Sequence, residues 1–149
     1  DYTNLVIDQE GFIFPLTPFF TLKLLPGIYL GMKMDLSTYG QIKDEKFIAA
    51  KNILTFFKNL DLKRQSIQKI DVSFLRKESV GKQEIIVLLT EELGKKTYQR
   101  YLRLSCDNYL EEIEHYLTLK QMGMAEDLII DLRLLPNAYL TPVSEASFL

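Results

Sequence analysis

Apolar and polar positions along this chain follow two periods in turn. Near the start, Leu5-Val6-Ile7 and Phe12-Ile13-Phe14 flank the polar stretch Asp8-Gln9-Glu10-Gly11. That pattern predicts a hairpin, with Gly11 available for a positive φ in its turn. Pro15 and Pro18 are expected to end its pairing. Leu24-Leu25-Pro26-Gly27-Ile28-Tyr29-Leu30-Gly31 predicts a short strand bracketed by Pro26 and the glycines, and residues 33–43 read as a loop. The period then lengthens. Phe47, Ala50, Leu54, Phe57 and Leu60 recur at three- and four-residue spacing behind Asp44, an N-cap residue, while Lys46, Lys51 and Lys58 fall largely off the stripe. This is an amphipathic helix with one face to pack.

Period two returns with Ile70, Val72 and Phe74 alternating against Asp71 and Ser73. Glu84 to Leu89 is apolar on both faces, as a central strand requires, and Val80-Gly81-Lys82 supplies the turn before it. Glu91 to Lys96, containing Gly94, reads as the next turn. Tyr98, Leu102 and Leu104 then alternate with Gln99 and Arg103, with Arg100 interrupting the apolar face. These three strands suggest an antiparallel meander. A second helix is expected from Asp107 to Met122, capped by Asp107 or Ser105, with a Leu110, Ile113, Leu117 stripe and Gly123 just past its end. Leu128 to Leu132 reads as a strand, Pro136-Asn137 as a turn, and Ala138 to Thr141 as a last short strand before Pro142. The order predicts an α+β fold: a mainly antiparallel, curved sheet with two helices packed on one face. Residues 1–143 would form this domain, with 144–149 a flexible tail. A Rossmann unit would need a Gly-rich phosphate loop, and the sequence has none.

The chain has 149 residues, enough for one domain with a real core. Lys and Arg number 18 against 20 Asp and Glu, a net charge of −2, so no broad cationic field is available for a nucleic-acid backbone. One His, one Cys and no Trp leave too few ligands for a Cys/His metal cage and no partner for a disulfide. No metal or cofactor is expected. The longest fully apolar run, Ile85 to Leu89, is far short of a membrane-spanning helix, and no signal peptide is visible. The chain begins with Asp1 and reads as an excised or processed fragment.

Candidate chemistry is sparse. His115 sits mid-helix beside Glu111 and Glu112 and reads as a surface histidine paired at helical spacing. Cys106 stands at the start of the second helix, where the dipole favours a lowered thiol pKa, but the residue reads foremost as corner filling. Asp8, Glu10, Asp127 and Asp131 are the carboxylates from which a site would have to be built. Asp131 lies inside an apolar strand with Arg133 two positions on and hence on the same face, which favours an ion pair over acid–base work. Tyr98, Arg100, Tyr101 and Arg103 interleave rings and cations as base-stacking surfaces do, but the negative net charge and the Glu111, Glu112, Glu114 cluster oppose that use. Leu134, Leu135, Ala138, Tyr139 and Leu140 crowd the final segment between Pro136 and Pro142. Their pattern leaves open whether they close the core or form an edge to which a partner adds a strand.

Three short motifs resemble one family. Leu5-Val6-Ile7-Asp8-Gln9-Glu10-Gly11-Phe12-Ile13-Phe14-Pro15 is similar to the entry of the second extracytoplasmic domain of the bacterial cell-division proteins FtsQ/DivIB. Leu25-Pro26-Gly27-Ile28-Tyr29-Leu30-Gly31 resembles that family's Leu-Pro-x-x-x-Gly segment with one extra residue, and Ile130-Asp131-Leu132-Arg133 matches its Asp-Leu-Arg strand. The motifs span residues 3–142 in the family's order. The resemblance implies a non-catalytic β domain of the divisome, active in septum formation. It would sit on the extracytoplasmic face of the inner membrane, behind a POTRA domain and a single transmembrane helix in the full-length protein. It implies binding of small coiled-coil division proteins, FtsB/FtsL-like, by strand addition at the C-terminal edge. Carried over by position, Arg133, Leu134, Pro136, Asn137, Ala138, Tyr139 and Leu140 would form the partner-binding edge. Asp131, Gly11, Pro26 and Gly31 would be structural. Two departures stand out: Leu134 follows the Arg where the family often has Tyr, and Leu135-Pro136-Asn137 replaces a turn of small residues. The alternatives are a carboxylate enzyme using Asp8 or Asp131, and a domain whose edge pairs with its own copy.

Overall fold

In the computed structural model, the described residues are 5–15, 25–31, 40–60, 65–76 and 79–146. Strands β1 (Leu5–Ile7) and β2 (Ile13–Pro15) form the expected hairpin as a separate antiparallel pair. Its turn is held by Asp8, whose Oδ1 accepts from the amides of Glu10 and Phe12, both at 2.9 Å. Pro15 does not end the pairing as expected but completes it opposite Leu5.

The main sheet has six strands in the order β3-β4-β5-β6-β7-β8, with β3 at Gly27–Tyr29, β4 at Gln65–Asp71, β5 at Ile85–Leu93, β6 at Lys96–Leu104, β7 at Leu128–Asp131 and β8 at Tyr139–Pro142. The central β4-β5-β6 meander is antiparallel, and so is β7-β8. β3 and β7 join in parallel, to β4 and β6 respectively. Each parallel contact goes with a helix: α1 (Glu45–Asn59) lies between β3 and β4 in the chain, and α2 (Tyr109–Leu119) between β6 and β7. Parallel neighbours need such crossovers. The α+β class is therefore observed, with a mixed, mostly antiparallel sheet.

Alternation along the strands sends one set of side chains toward both helices. Ile70, Val87, Leu89, Leu102, Leu104, Leu128, Ile130 and Leu132 pack with Ala50, Ile53 and Phe57 of α1 and with Ile113 and Tyr116 of α2. Each such aliphatic side chain contributes about 1.5–3 kcal/mol on burial. α1 starts where expected, with the Asp44 side chain accepting from the Lys46 amide at 2.7 Å. Its buried stripe is Phe47, Ala50, Ile53 and Phe57; Leu60 caps the helix and stays exposed.

Four boundaries differ from expectation. The 70–74 strand begins earlier, at Gln65, and ends at Asp71. There the Asp71 carboxylate accepts from the Ser73 amide and hydroxyl, so the chain turns and Phe74 is left exposed. The Glu91–Lys96 turn shrinks to Gly94-Lys95, because pairing continues to Leu93 opposite Lys96 and Gly94 supplies the φ of +64°. α2 has Asn108 as N-cap with no side-chain cap bond; Ile113 of the expected stripe is fully buried and Leu110 and Leu117 pack half-buried against the core, joined by the buried Glu112 and Tyr116. Ser105 is engaged instead by Glu112, which accepts from its amide at 2.6 Å and its hydroxyl at 2.5 Å. A 3-10 turn over Lys120–Met122 follows, and Gly123 takes the left-handed position. Of the expected tail 144–149, residues 144 and 145 belong to the 3-10 turn Val143–Glu145 and 147–149 lie outside the described residues, as do 33–39 of the expected loop.

Arg100 does not merely interrupt the apolar face; it is fully buried within it. Its Nε donates to Glu91 at 3.1 Å, and its other nitrogens donate to the carbonyls of Gln99, Met124 and Glu126. Tyr116 adds a hydroxyl bond to Glu91 at 3.3 Å. The guanidinium thus satisfies carbonyls of the irregular 123–127 segment that no strand or helix serves.

Candidate docking edge

β8 closes one side of the sheet, and no described strand lies beyond it. Its register against β7 pairs Tyr139 with Asp131, Leu140 with Ile130, Thr141 with Ile129 and Pro142 with Leu128. One rung further, the Val143 amide donates to the Asp127 carbonyl at 3.0 Å. Directly opposed residues of an antiparallel pair alternate between bonded and unbonded rungs. The bonded rungs are therefore Val143, Thr141 and Tyr139. Leu140 and Pro142 turn their main-chain groups away from β7, toward the open side. Pro142 has no N–H, so Leu140 alone in β8 offers both a donor and an acceptor outward.

Side chains follow the same alternation. Leu140 shares the helix face with Ile130, and Tyr139 shares the opposite face with Asp131. Neither side chain is buried: Tyr139 is 54% exposed and Leu140 40%. Arg133, Leu134, Pro136 and Asn137 lie not on the edge strand but in the connection leading to it, with Leu134 63% exposed and the Asn137 amide donating to the Leu134 carbonyl at 2.9 Å. Ala138 packs partly against the core.

Asp131 and Arg133 meet as the same-face spacing predicts. The guanidinium is bidentate on the carboxylate, at 2.9 and 2.8 Å. Glu84 joins Arg103 at 2.9 Å and Arg133 at 3.4 Å, so the ends of β5, β6 and β7 share one charged cluster on the helix-free face. Partial burial raises the Asp131 pKa, but the bonds from Arg133 and the field of Arg103 outweigh it and leave it below the usual carboxylate range. Arg133 is thus occupied within its own chain. Beside this cluster, Ile86, Leu88, Tyr101 and Ile129 line a shallow hollow on the same face.

Two glycines sit where a side chain would collide. Gly11 has φ +89° and a Cβ there would lie 2.3 Å from the Ile42 carbonyl oxygen; Gly31 has φ +67° and its Cβ would lie 2.4 Å from the Ser73 Cβ. Gly31 holds β3 close to the turn after β4. Pro26 directly precedes β3.

The other candidates are dispersed. Asp8 serves its own turn, and the Asp127 carboxylate accepts from the Gln99 amide at 2.8 Å. The Glu10 carbonyl accepts from the Gln41 side chain. His115 is half-buried on α2, and Glu112, one of its two expected partners, turns instead to Ser105. Burial pushes the Cys106 thiol pKa up, against the lowering expected at a helix start, with Arg76 opposing only in part. Among the described residues, no group of three or more His, Cys, Asp or Glu is placed to hold a metal ion. No described helix is long and apolar enough to cross a membrane. The last strand, expected at Ala138–Thr141 before Pro142, instead runs from Tyr139 to Pro142, and a proline inside a strand marks an edge. Neither a scan of protein-family models nor a search of curated proteins finds a match to this chain.

Proposed function

We propose that this domain is a non-catalytic scaffold of the FtsQ/DivIB kind that binds a small coiled-coil division protein, FtsB/FtsL-like, by strand addition along β8. In the full-length protein it would lie on the extracytoplasmic face of the bacterial inner membrane, behind a single-pass anchor. The observation that carries the reading is the outer side of β8, beyond which no described strand lies, with Leu134, Tyr139 and Leu140 exposed there. An apolar strand with unpaired main-chain groups is a template for another chain. The motifs shared with the family supply the class of partner. The carboxylate-enzyme alternative has less support, because the Asp131 carboxylate is held by three bonds from Arg133, one of them from its amide, and that of Asp8 by its own turn.

The test is calorimetric titration of the purified chain with soluble extracytoplasmic segments of FtsB/FtsL-like proteins, with Leu140→Lys as the variant. Binding that is lost in a folded Leu140→Lys chain supports the reading. Equal affinity of variant and wild type overturns it. Concentration-dependent sedimentation of the chain alone, lost in the same variant, would give the edge to a second copy instead.

A further inference from the structure

We propose that docking at β8 is anchored on one main-chain residue, Leu140, and that Pro142 stops the ladder there. The partner segment would then be short and extended, with apolar side chains at two successive positions. This inference rests on the strand-addition reading and narrows it to a register.

The argument starts from the phase of the ladder. The Val143 amide bonds the Asp127 carbonyl, and the register places every second β8 residue inward from there. Leu140 therefore presents its N–H and C=O to an incoming strand. Pro142, the next outward residue, presents only a carbonyl, with φ −58° and ψ 137° in extended geometry. An added strand exchanges two bonds with Leu140 and finds an acceptor but no donor at Pro142. Toward the other end, β8 starts at Tyr139, behind the turn that holds Pro136. The ladder available to a partner is bounded on both sides.

The side chains then set the chemistry of the occupant. Leu140 is exposed on the helix face and Tyr139 on the opposite face, next to each other along the strand. A strand laid against them places one residue beside Leu140 and the next beside Tyr139, on opposite faces. Both neighbours are apolar, so both partner positions favour apolar side chains. The nearby charges of Arg133 and Asp131 are bonded to each other and do not ask for a counter-charge. Selection at this edge is by shape and main-chain donors rather than by ion pairing.

The experiment uses the same FtsB/FtsL-like segments with two variants, Leu140→Pro and Pro142→Ala. Leu140→Pro removes the outward donor and leaves the bonded rungs to β7 in place. Pro142→Ala creates a second outward donor. One added hydrogen bond corresponds to roughly two- to tenfold tighter binding, the expected result for Pro142→Ala, while Leu140→Pro weakens binding by at least that factor. Amide hydrogen exchange supplies a second readout: Leu140 exchanges fast in the free chain and slowly in the complex, whereas Thr141 and Val143 are slow in both. Binding of wild type that neither variant changes, or a complex in which Leu140 stays fast, overturns the anchor while leaving partner binding standing. Absence of binding by wild type overturns the strand-addition reading, and this inference falls with it.

Discussion

Tyr139 and Leu140 are adjacent in β8, yet their main-chain amides point to opposite sides: that of Tyr139 toward Asp131 of β7, that of Leu140 toward the open edge. Proline at the two positions should therefore do different things. Tyr139→Pro removes a rung of the β7-β8 ladder and should lower stability by about 1–3 kcal/mol, or roughly 2–4 °C in Tm per kcal/mol for a chain of this size. Leu140→Pro should melt close to wild type. Thermal unfolding by circular dichroism distinguishes them, and equal losses would contradict the assigned phase.

Arg100 is the most consequential single side chain in the core. Replacing it by Met leaves Glu91 buried without its cation and the carbonyls of Met124 and Glu126 without their donor. A loss of about 3–5 kcal/mol is expected. Adding Glu91→Leu to Arg100→Met should recover part of that loss, since an apolar pair of similar volume no longer strands a charge. Urea unfolding of the single and double variants closes the cycle, and additive losses would argue against the coupling.

Three left-handed glycines separate backbone strain from collision. Gly94→Ala meets open space at φ +64°, so only the conformational cost of about 1–2 kcal/mol applies. Gly11→Ala and Gly31→Ala add contacts at 2.3 and 2.4 Å and should cost clearly more. Denaturation midpoints should fall in that order, and equal costs for all three would mean that the two close approaches relax freely.

Two carboxylates give acid behaviour opposite signs. Asp131 has a lowered pKa in the fold, so its contribution is complete above its ordinary value of 3.8 and disappears as pH falls through the lower folded value. Glu112 is raised by burial, with the Ser105 bonds opposing; its charge is a penalty at neutral pH that protonation relieves on the way down toward its ordinary value of 4.5. Relative to Asp131→Asn, wild type should lose its advantage only below about pH 4. Relative to Glu112→Gln, wild type should gain as pH falls from neutral toward the ordinary value of 4.5. Chemical denaturation across pH 2–7 tests both, and parallel curves for wild type and a variant would refute that variant's part.

Much of this architecture is readable from period alone. The Asp44 cap, the α1 stripe, the apolar run of β5 and the alternation in β6 each depend on neighbours within a few residues, and such local signals survive folding. What escapes the pattern depends on contacts distant in sequence. Arg100 reads as a fault in an apolar face because its partners, Glu91, Met124 and Glu126, are chosen by the fold. Tyr116 is fully buried beside the expected Ile113 of α2, and its hydroxyl reaches Glu91, a partner far off in sequence. β3 and β7 pair in parallel because helices separate them from their neighbours, and no residue in either strand announces that. At the edge, the crowding of Leu134, Tyr139 and Leu140 is visible in the sequence, whereas the direction of each amide follows only from the rung at Val143.

That rung has a mechanical consequence. Asp127 accepts the Gln99 amide with its carboxylate and the Val143 amide with its carbonyl. One residue therefore fastens β6 on one side and the end of β8 on the other. The end of β8 is thus connected to β6 through Asp127 as well as through its own rungs to β7. A four-residue outer strand is in this way tied past its immediate neighbour to the nine-residue β6.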